Sequence, residues 1–211
     1  MKTENITGKF IVLEGGEGAG KSSQLADIKN LFGERVVVTR EPGGSPYAEE
    51  IRNVILKSVN ASQADAKTHF ALFWAARADH LKNTIIPALE AGKVVISDRF
   101  DSSTFAYQIY GQEAKELESF FWQMRDFYLG SVKPDLYIYM DVNVEEGLRR
   151  KQIQGGDEIN HFDERKPDFH LRMREGFMQF LKQVNGVVVD ANPPRGIVAD
   201  ALKTEIDKLL T

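Results

Sequence analysis

Cysteine is absent from this 211-residue chain. Its absence excludes disulfides, thiolate metal sites and a cysteine nucleophile. No apolar run approaches the ~20 residues needed to span a bilayer. The opening stretch, MKTENITGKF, lacks the apolar core of a signal peptide, so a cytoplasmic protein is expected. Excess positive charge is missing as well. Twenty-seven Lys and Arg stand against 31 Asp and Glu, a net charge of −4. Nucleic acids and membrane surfaces select basic faces, so neither is an expected partner.

What is present is enough apolar material, 42% of the chain, for one substantial core, and we expect a single domain over 1–211. Five short runs read as buried strands: FIVL (10–13), VVVT (36–39), VVIS (94–97), LYIYMDV (136–142) and VVVD (187–190). They are β-branched and barely alternate, as strands covered on both faces should be. Segments of helical length lie between and after them, at about 21–32, 46–58, 64–91, 113–130, 144–153, 167–184 and 196–210. The alternation predicts an α/β fold, a five-stranded parallel sheet with helices on both faces. Between two helices, QIQGGDEINHFDERK (152–166) is polar and contains adjacent Gly155 and Gly156, so a mobile lid is expected over about 150–166.

The stretch GGEGAGKS spans residues 15–22. Gly15, four residues, then Gly20, Lys21 and Ser22 make the P-loop pattern, and it sits where the mechanism requires, after a strand and before a helix. Glycines let the backbone N–H groups from Gly15, Gly16, Glu17, Gly18, Ala19 and Gly20 converge on phosphate oxygens, and the helix N-terminus through Ser22 and Ser23 adds positive potential. Lys21 would reach the β- and γ-phosphates of ATP, and the Ser22 hydroxyl would face Mg²⁺. The fold class is therefore that of P-loop NTPases.

The acceptor of the phosphoryl group is the next question. The N-K-x-D element that reads guanine is missing, and the chain has little room for a motor's coupling apparatus. A small kinase remains, which must hold a second molecule against the γ-phosphate. TREPGG (39–44) and DRF (98–100) both follow strands at the carboxyl edge, where open α/β sheets bind ligands. Asp98 and Arg99 would project there, Asp98 organising magnesium or Arg99. On HFALFWAARADHL (69–81), Phe70, Phe73, Trp74 and Arg77 share one helical face. An aromatic stripe is commonly core. An arginine in it needs a partner, and a cleft would supply one.

The motifs FIVLEGGEGAGKSSQ, TREPGGSPYAEEIR, LFWAARADHL, DRFDSSTFAYQ and DFHLRMREGF, in this order and spacing from about Lys9 onward, resemble the bacterial-type thymidylate kinase family. The resemblance implies transfer from ATP to dTMP with Mg²⁺, in a homodimer packed through helices. It implies that Glu17 approaches the acceptor sugar and its magnesium environment, Pro42 walls the acceptor slot, and Arg52 and Arg99 contact the acceptor phosphate. Phe73 would stack on thymine and Arg77 bond its carbonyl edge. Ser103, Thr104, Tyr107 and Gln108 would line the nucleoside pocket, with Tyr107 crowding a ribose 2′-hydroxyl. The loop Asp190-Ala191-Asn192-Pro193 would border adenine.

The lid departs from that pattern. NHFDE places His161 where the family carries an arginine, and the P-loop insert Glu17-Gly18-Ala19 supplies none in exchange. Of Arg149, Arg150, Lys151 and Arg165, Arg150 best matches a family arginine and is the expected lid catalyst. A kinase of another nucleotide or deoxynucleoside would share these features, as would a nucleotide-binding regulatory protein that has lost catalysis.

Overall fold

The computed structural model describes residues 6–154 and 160–210. Its centre is a five-stranded, all-parallel sheet in the order β2-β3-β1-β4-β5. The strands are β1 (Lys9–Gly15), β2 (Val36–Arg40), β3 (Val94–Asp98), β4 (Leu136–Asp141) and β5 (Gly186–Asp190), each at its expected place. Successive side chains on a strand point to opposite faces. Phe10 and Val12 accordingly join a cluster with Trp74, Phe105, Phe121 and Phe180. Ile11 and Leu13 join one on the other face with Leu25, Ile28, Val198 and Leu202. Burial on both faces is why these strands read as unbroken apolar runs.

Helices α1 (Lys21–Phe32) and α9 (Arg195–Leu210) supply that second face. Helix α2 (Pro46–Lys57) begins on a proline, which costs nothing where the N–H has no helical partner. Helix α3 (Ala66–His80) is capped by Asp65, whose carboxylate accepts from the Thr68 N–H at 2.8 Å. The expected single helix over 64–91 is interrupted. A π-helical turn, Leu81–Ile85, joins α3 to α4 (Ile86–Glu90). Pro87 lies just beyond it and can offer no N–H to a carbonyl in that turn.

One helical stretch was not expected. α5 (Asp101–Thr104) runs on through a π-helical segment, Phe105–Gly111. It packs closely on α8 (Pro167–Leu181). Gly176 permits that approach, since a Cβ there would crowd Ala106 and Tyr110. Helices α6 (Glu118–Leu129) and α7 (Val144–Gln154) complete the set.

The expected lid divides. Residues 155–159, including Gly155 and Gly156, lie outside the described residues. Beyond them the chain is anchored. Phe162 is buried against Phe73, Tyr107 and Phe169. One aromatic side chain ties this end of the polar run to the core.

Candidate active site

The carboxyl edge of the sheet brings four separated segments together. β1 feeds the P-loop, β2 feeds Glu41 and Pro42, β3 feeds Asp98 and Arg99, and α3 lies across them. Between them is a cavity of about 260 Å³, lined by Glu17 through Ser23, Pro42, Arg52, Phe73, Arg77, Asp98, Arg99, Ser103 and Tyr107. Most of the expected acceptor residues thus meet in one place.

On the phosphate side, Gly18 and Gly20 take φ of 67° and 87°, a region favouring glycine. A Cβ on Gly18 would also collide with the Gly147 carbonyl of α7. Lys21 curls back so that Nζ donates to the carbonyls of Gly15 (3.0 Å) and Gly16 (3.4 Å). Burial, then the nearby Arg99 charge, pull the Lys21 ammonium below its ordinary range. An ammonium held in this way favours an arriving polyphosphate. Ser22 and Ser23 line the same wall, and Asp98 faces it with a buried Oδ1 that has no partner among the described residues.

Arg99 occupies a left-handed turn, φ 68°. Its Nη2 donates to Glu17 at 2.9 Å and its Nη1 to the Gly15 carbonyl at 3.2 Å. Glu14, the last charged residue of β1, is buried and holds this turn. It accepts from the Phe100 N–H (3.0 Å) and from the hydroxyls of Ser102 (2.7 Å) and Ser103 (2.8 Å).

Glu17 is the electrostatic centre. Burial alone would raise its pKa. Arg99 and Lys21, with hydrogen bonds from Asp163 and Tyr107, hold it down to about 2. Asp163 moves the opposite way, to about 6, because it is buried beside the Glu17 charge. Two carboxyls in one low-dielectric place ionise one at a time. Glu17 keeps the charge, and Asp163 holds its proton longer.

The sign of the stability effect follows. Between its ordinary value of 3.8 and about 6, Asp163 binds its proton more tightly in the native state than in the unfolded chain. Stability from this group falls as pH rises through that window, and the loss persists above it. The amide introduced by Asp163→Asn would stay neutral and still donate to Glu17. Asp163→Asn is therefore expected to leave stability little changed at pH 4 and raise it at pH 8 by on the order of 1 kcal/mol. Urea melts at the two pH values measure this, and an equal shift at both would contradict the paired-carboxyl account.

On the α3 side of the cavity, Arg77 is fully buried. Its Nε and Nη2 reach Glu41 Oε2 at 2.9 and 2.8 Å, and Nη2 also donates to Thr104 Oγ1 at 3.0 Å. His80 links the other Glu41 oxygen, at 3.1 Å, to Thr39 Oγ1, at 2.7 Å. Arg77 Nη1 has no partner among the described residues, although its side chain lines the cavity. Such a buried donor calls for an acceptor from a ligand. Phe73 offers an aromatic wall beside it. Gln108, expected in the pocket, does not line the cavity; it is fully buried and donates to Gln112 at 3.2 Å. Arg52 lines the cavity with Nη1 on the Pro42 carbonyl at 2.8 Å.

A second cavity of about 360 Å³ lies across the P-loop, between Ala19, Gly20, Ser23, Ala191, Asn192 and Arg195. Arg150 sits here. It donates to the carbonyls of Ala191 (3.0 Å) and Asn192 (3.1 Å) and to Glu146 (2.8 Å). The structure does not bring it to the first cavity. His161 does not enter either. It stacks on His69 at 5.2 Å, and burial followed by the neighbouring His69 and Arg165 push it down to about 4.

Glu14, Glu41, Asp163 and Phe162 were not singled out from sequence. A glutamate ending an apolar strand must find partners, and that signal could have found Glu14. Nothing local marked Asp163 or Phe162.

Comparisons with known proteins bear on the family and the fold. The family model described as thymidylate kinase matches residues 13–202. Thymidylate kinases from two strains of Limosilactobacillus reuteri are 37% identical over 208 residues, covering 95% of this chain and 96% of theirs. A crystal structure of thymidylate kinase from Ehrlichia chaffeensis superposes with a TM-score of 0.72 at 30% identity, covering 97% of this chain and 99% of that one. With the P-loop, the arginine-bearing α3 and the Asp98-Arg99 turn gathered on one sheet edge, the chain belongs to the thymidylate kinase family.

Proposed function

We propose that this protein transfers the γ-phosphoryl group of ATP to dTMP, giving dTDP and ADP. The observation that carries the reading, beside family membership, is the open Nη1 of Arg77 next to Phe73, in a cavity continuous with the P-loop. Phe73 stacks on the thymine ring and Nη1 donates to a base carbonyl. Tyr107, fixed by its hydrogen bond to Glu17 at 2.8 Å, borders the sugar and leaves little space for a 2′-hydroxyl. Ser103 and Thr104 support this wall. Arg52 and Arg99 face the acceptor phosphate, and ATP extends from the P-loop toward Ala191 with its adenine in the second cavity.

The acceptor oxygen belongs to a phosphate monoester largely ionised near neutral pH, so no strong base is required. The chain's task is alignment and charge neutralisation. Lys21 and Arg99 supply fixed positive charge, and Glu17 and Glu14 hold Arg99 in place. Mg²⁺ fits the donors available. Ser22 and the unpaired Oδ1 of Asp98 are hard oxygen groups on the cavity wall, and Mg²⁺ takes one or two such ligands with substrate phosphates and water. When bound, it neutralises charge on the β- and γ-phosphates.

Among the described residues, no helix is long and apolar enough to cross a membrane; membership of the thymidylate kinase family supports a cytoplasmic enzyme. Exposed apolar pairs one heptad apart, Phe120 and Phe127 on α6 and Tyr47 and Val54 on α2, support a homodimer packed through helices. Purified protein with ATP, Mg²⁺ and each of dTMP, dUMP, dCMP and thymidine tests the reading. dTDP should dominate. Preference for another acceptor would reassign the substrate. Binding of ATP and dTMP without phosphoryl exchange would instead mark a regulatory protein.

A further inference from the structure

Phosphoryl transfer concentrates negative charge on the γ-phosphate, and a cation from the α7 side of the cavity would complement Lys21 and Arg99. The described structure separates the available cations. Arg149 points outward and pairs with Glu146 at 2.7 Å, its side chain 60% exposed. Arg150 is held by the carbonyls of Ala191 and Asn192 on the adenine side. His161 is stacked on His69. Residues 154–159, QGGDEI, contain no basic side chain at all. Lys151 remains. One residue along a helix turns the side chain by about 100°, and that step carries Lys151 from the direction of Arg150 into the wall of the phosphate cavity, facing Asp163 and sharing that cavity with Lys21, Ser22 and Arg99.

We propose that Lys151, rather than Arg150, is the α7 catalytic cation of this chain. The inference rests on the phosphoryl-transfer reading above. Lys151 Nζ lies 4.0 Å from Asp163 Oδ2 and its side chain is 24% exposed. That separation is an ion pair without a hydrogen bond, so the three ammonium donors are not committed to Asp163. The side chain lines the same cavity as Gly20, Lys21 and Ser22 of the P-loop. In the step itself, an acceptor phosphate oxygen of dTMP bonds to the γ-phosphorus. The bond from that phosphorus to the β,γ-bridging oxygen breaks, and ADP leaves with the electron pair. Lys151 neither gains nor loses a proton and stabilises the equatorial oxygens by charge alone. Arg150 then serves the donor nucleotide by shaping the loop at Ala191 and Asn192.

Steady-state kinetics of dTDP formation on the intact protein test this. Lys151→Ala should lower kcat about 100-fold, with little change in the KM of ATP or dTMP. Lys151→Arg should recover most of the rate. Arg150→Ala should act mainly through the KM of ATP. A purely structural Lys151 would serve only to offset Asp163. In that case Lys151→Ala combined with Asp163→Asn would restore the wild-type rate, and such restoration would overturn the proposal. So would a Lys151→Ala enzyme with normal kcat, or a collapse of kcat confined to Arg150→Ala. Those outcomes leave the kinase reading standing. Wild-type protein that forms no dTDP would bring down that reading and this inference with it.

Discussion

Replacing Lys21 with alanine should cut turnover by roughly 10²–10³ while the protein stays folded. The structural grounds for a folded variant are specific. Among the described residues, Lys21 Nζ hydrogen-bonds to the Gly15 and Gly16 carbonyls alone, and water entering the space left by the side chain can meet both. The left-handed glycines that shape the loop do not depend on the side chain. The catalytic loss is large because the ammonium is desolvated by burial on the cavity wall beside the P-loop, where its charge acts at low dielectric. Circular dichroism should match wild type, and the rate of dTDP formation should not. Near-normal turnover would remove Lys21 from the catalytic set.

Arg77 should behave differently, with a large effect on stability as well as on binding. Glu41 is 3% exposed and Arg77 1%. Cutting a buried pair by removing one partner leaves an uncompensated charge and costs about 3–5 kcal/mol. Arg77→Met is expected to lose stability of that order in urea denaturation. Arg77→Met combined with Glu41→Gln should recover much of it, because the stranded carboxylate is gone. In that stabler double variant, calorimetry should find dTMP binding weakened by about 1.5–3 kcal/mol, the worth of a charged hydrogen bond. ATP binding should be nearly unchanged, since Arg77 faces the acceptor part of the cavity. Equal losses for both nucleotides would make Arg77 a scaffold residue and leave base reading unexplained.

The order of residues along the chain was enough for the sheet, the phosphate loop and the sheet edge that carries the candidate cavity. Each depends on consecutive residues. A doubly covered strand must be apolar on both faces, and a P-loop needs its glycines, lysine and serine at fixed spacing between a strand and a helix. The aromatic stripe with Arg77 was legible for the same reason, because helical periodicity is local. How charges are shared depends on contacts between distant parts of the chain. Glu41 and Arg77 are 36 residues apart and Glu17 and Tyr107 are 90 apart, so no window of sequence contains either pair. The helical segment over 101–111 escaped notice because its residues are chosen for what they touch. Asp101 meets Arg125 at 2.7 Å, and Ser102 and Ser103 meet Glu14. The separation of Arg150 from Lys151 was beyond the sequence for a geometric reason. Adjacent helical residues look equivalent as basic letters, but the helix sends them to opposite sides of the P-loop. Phe162 shows the same limit, since a polar segment was held by one ring whose pocket is built from α3, the 105–111 segment and α8.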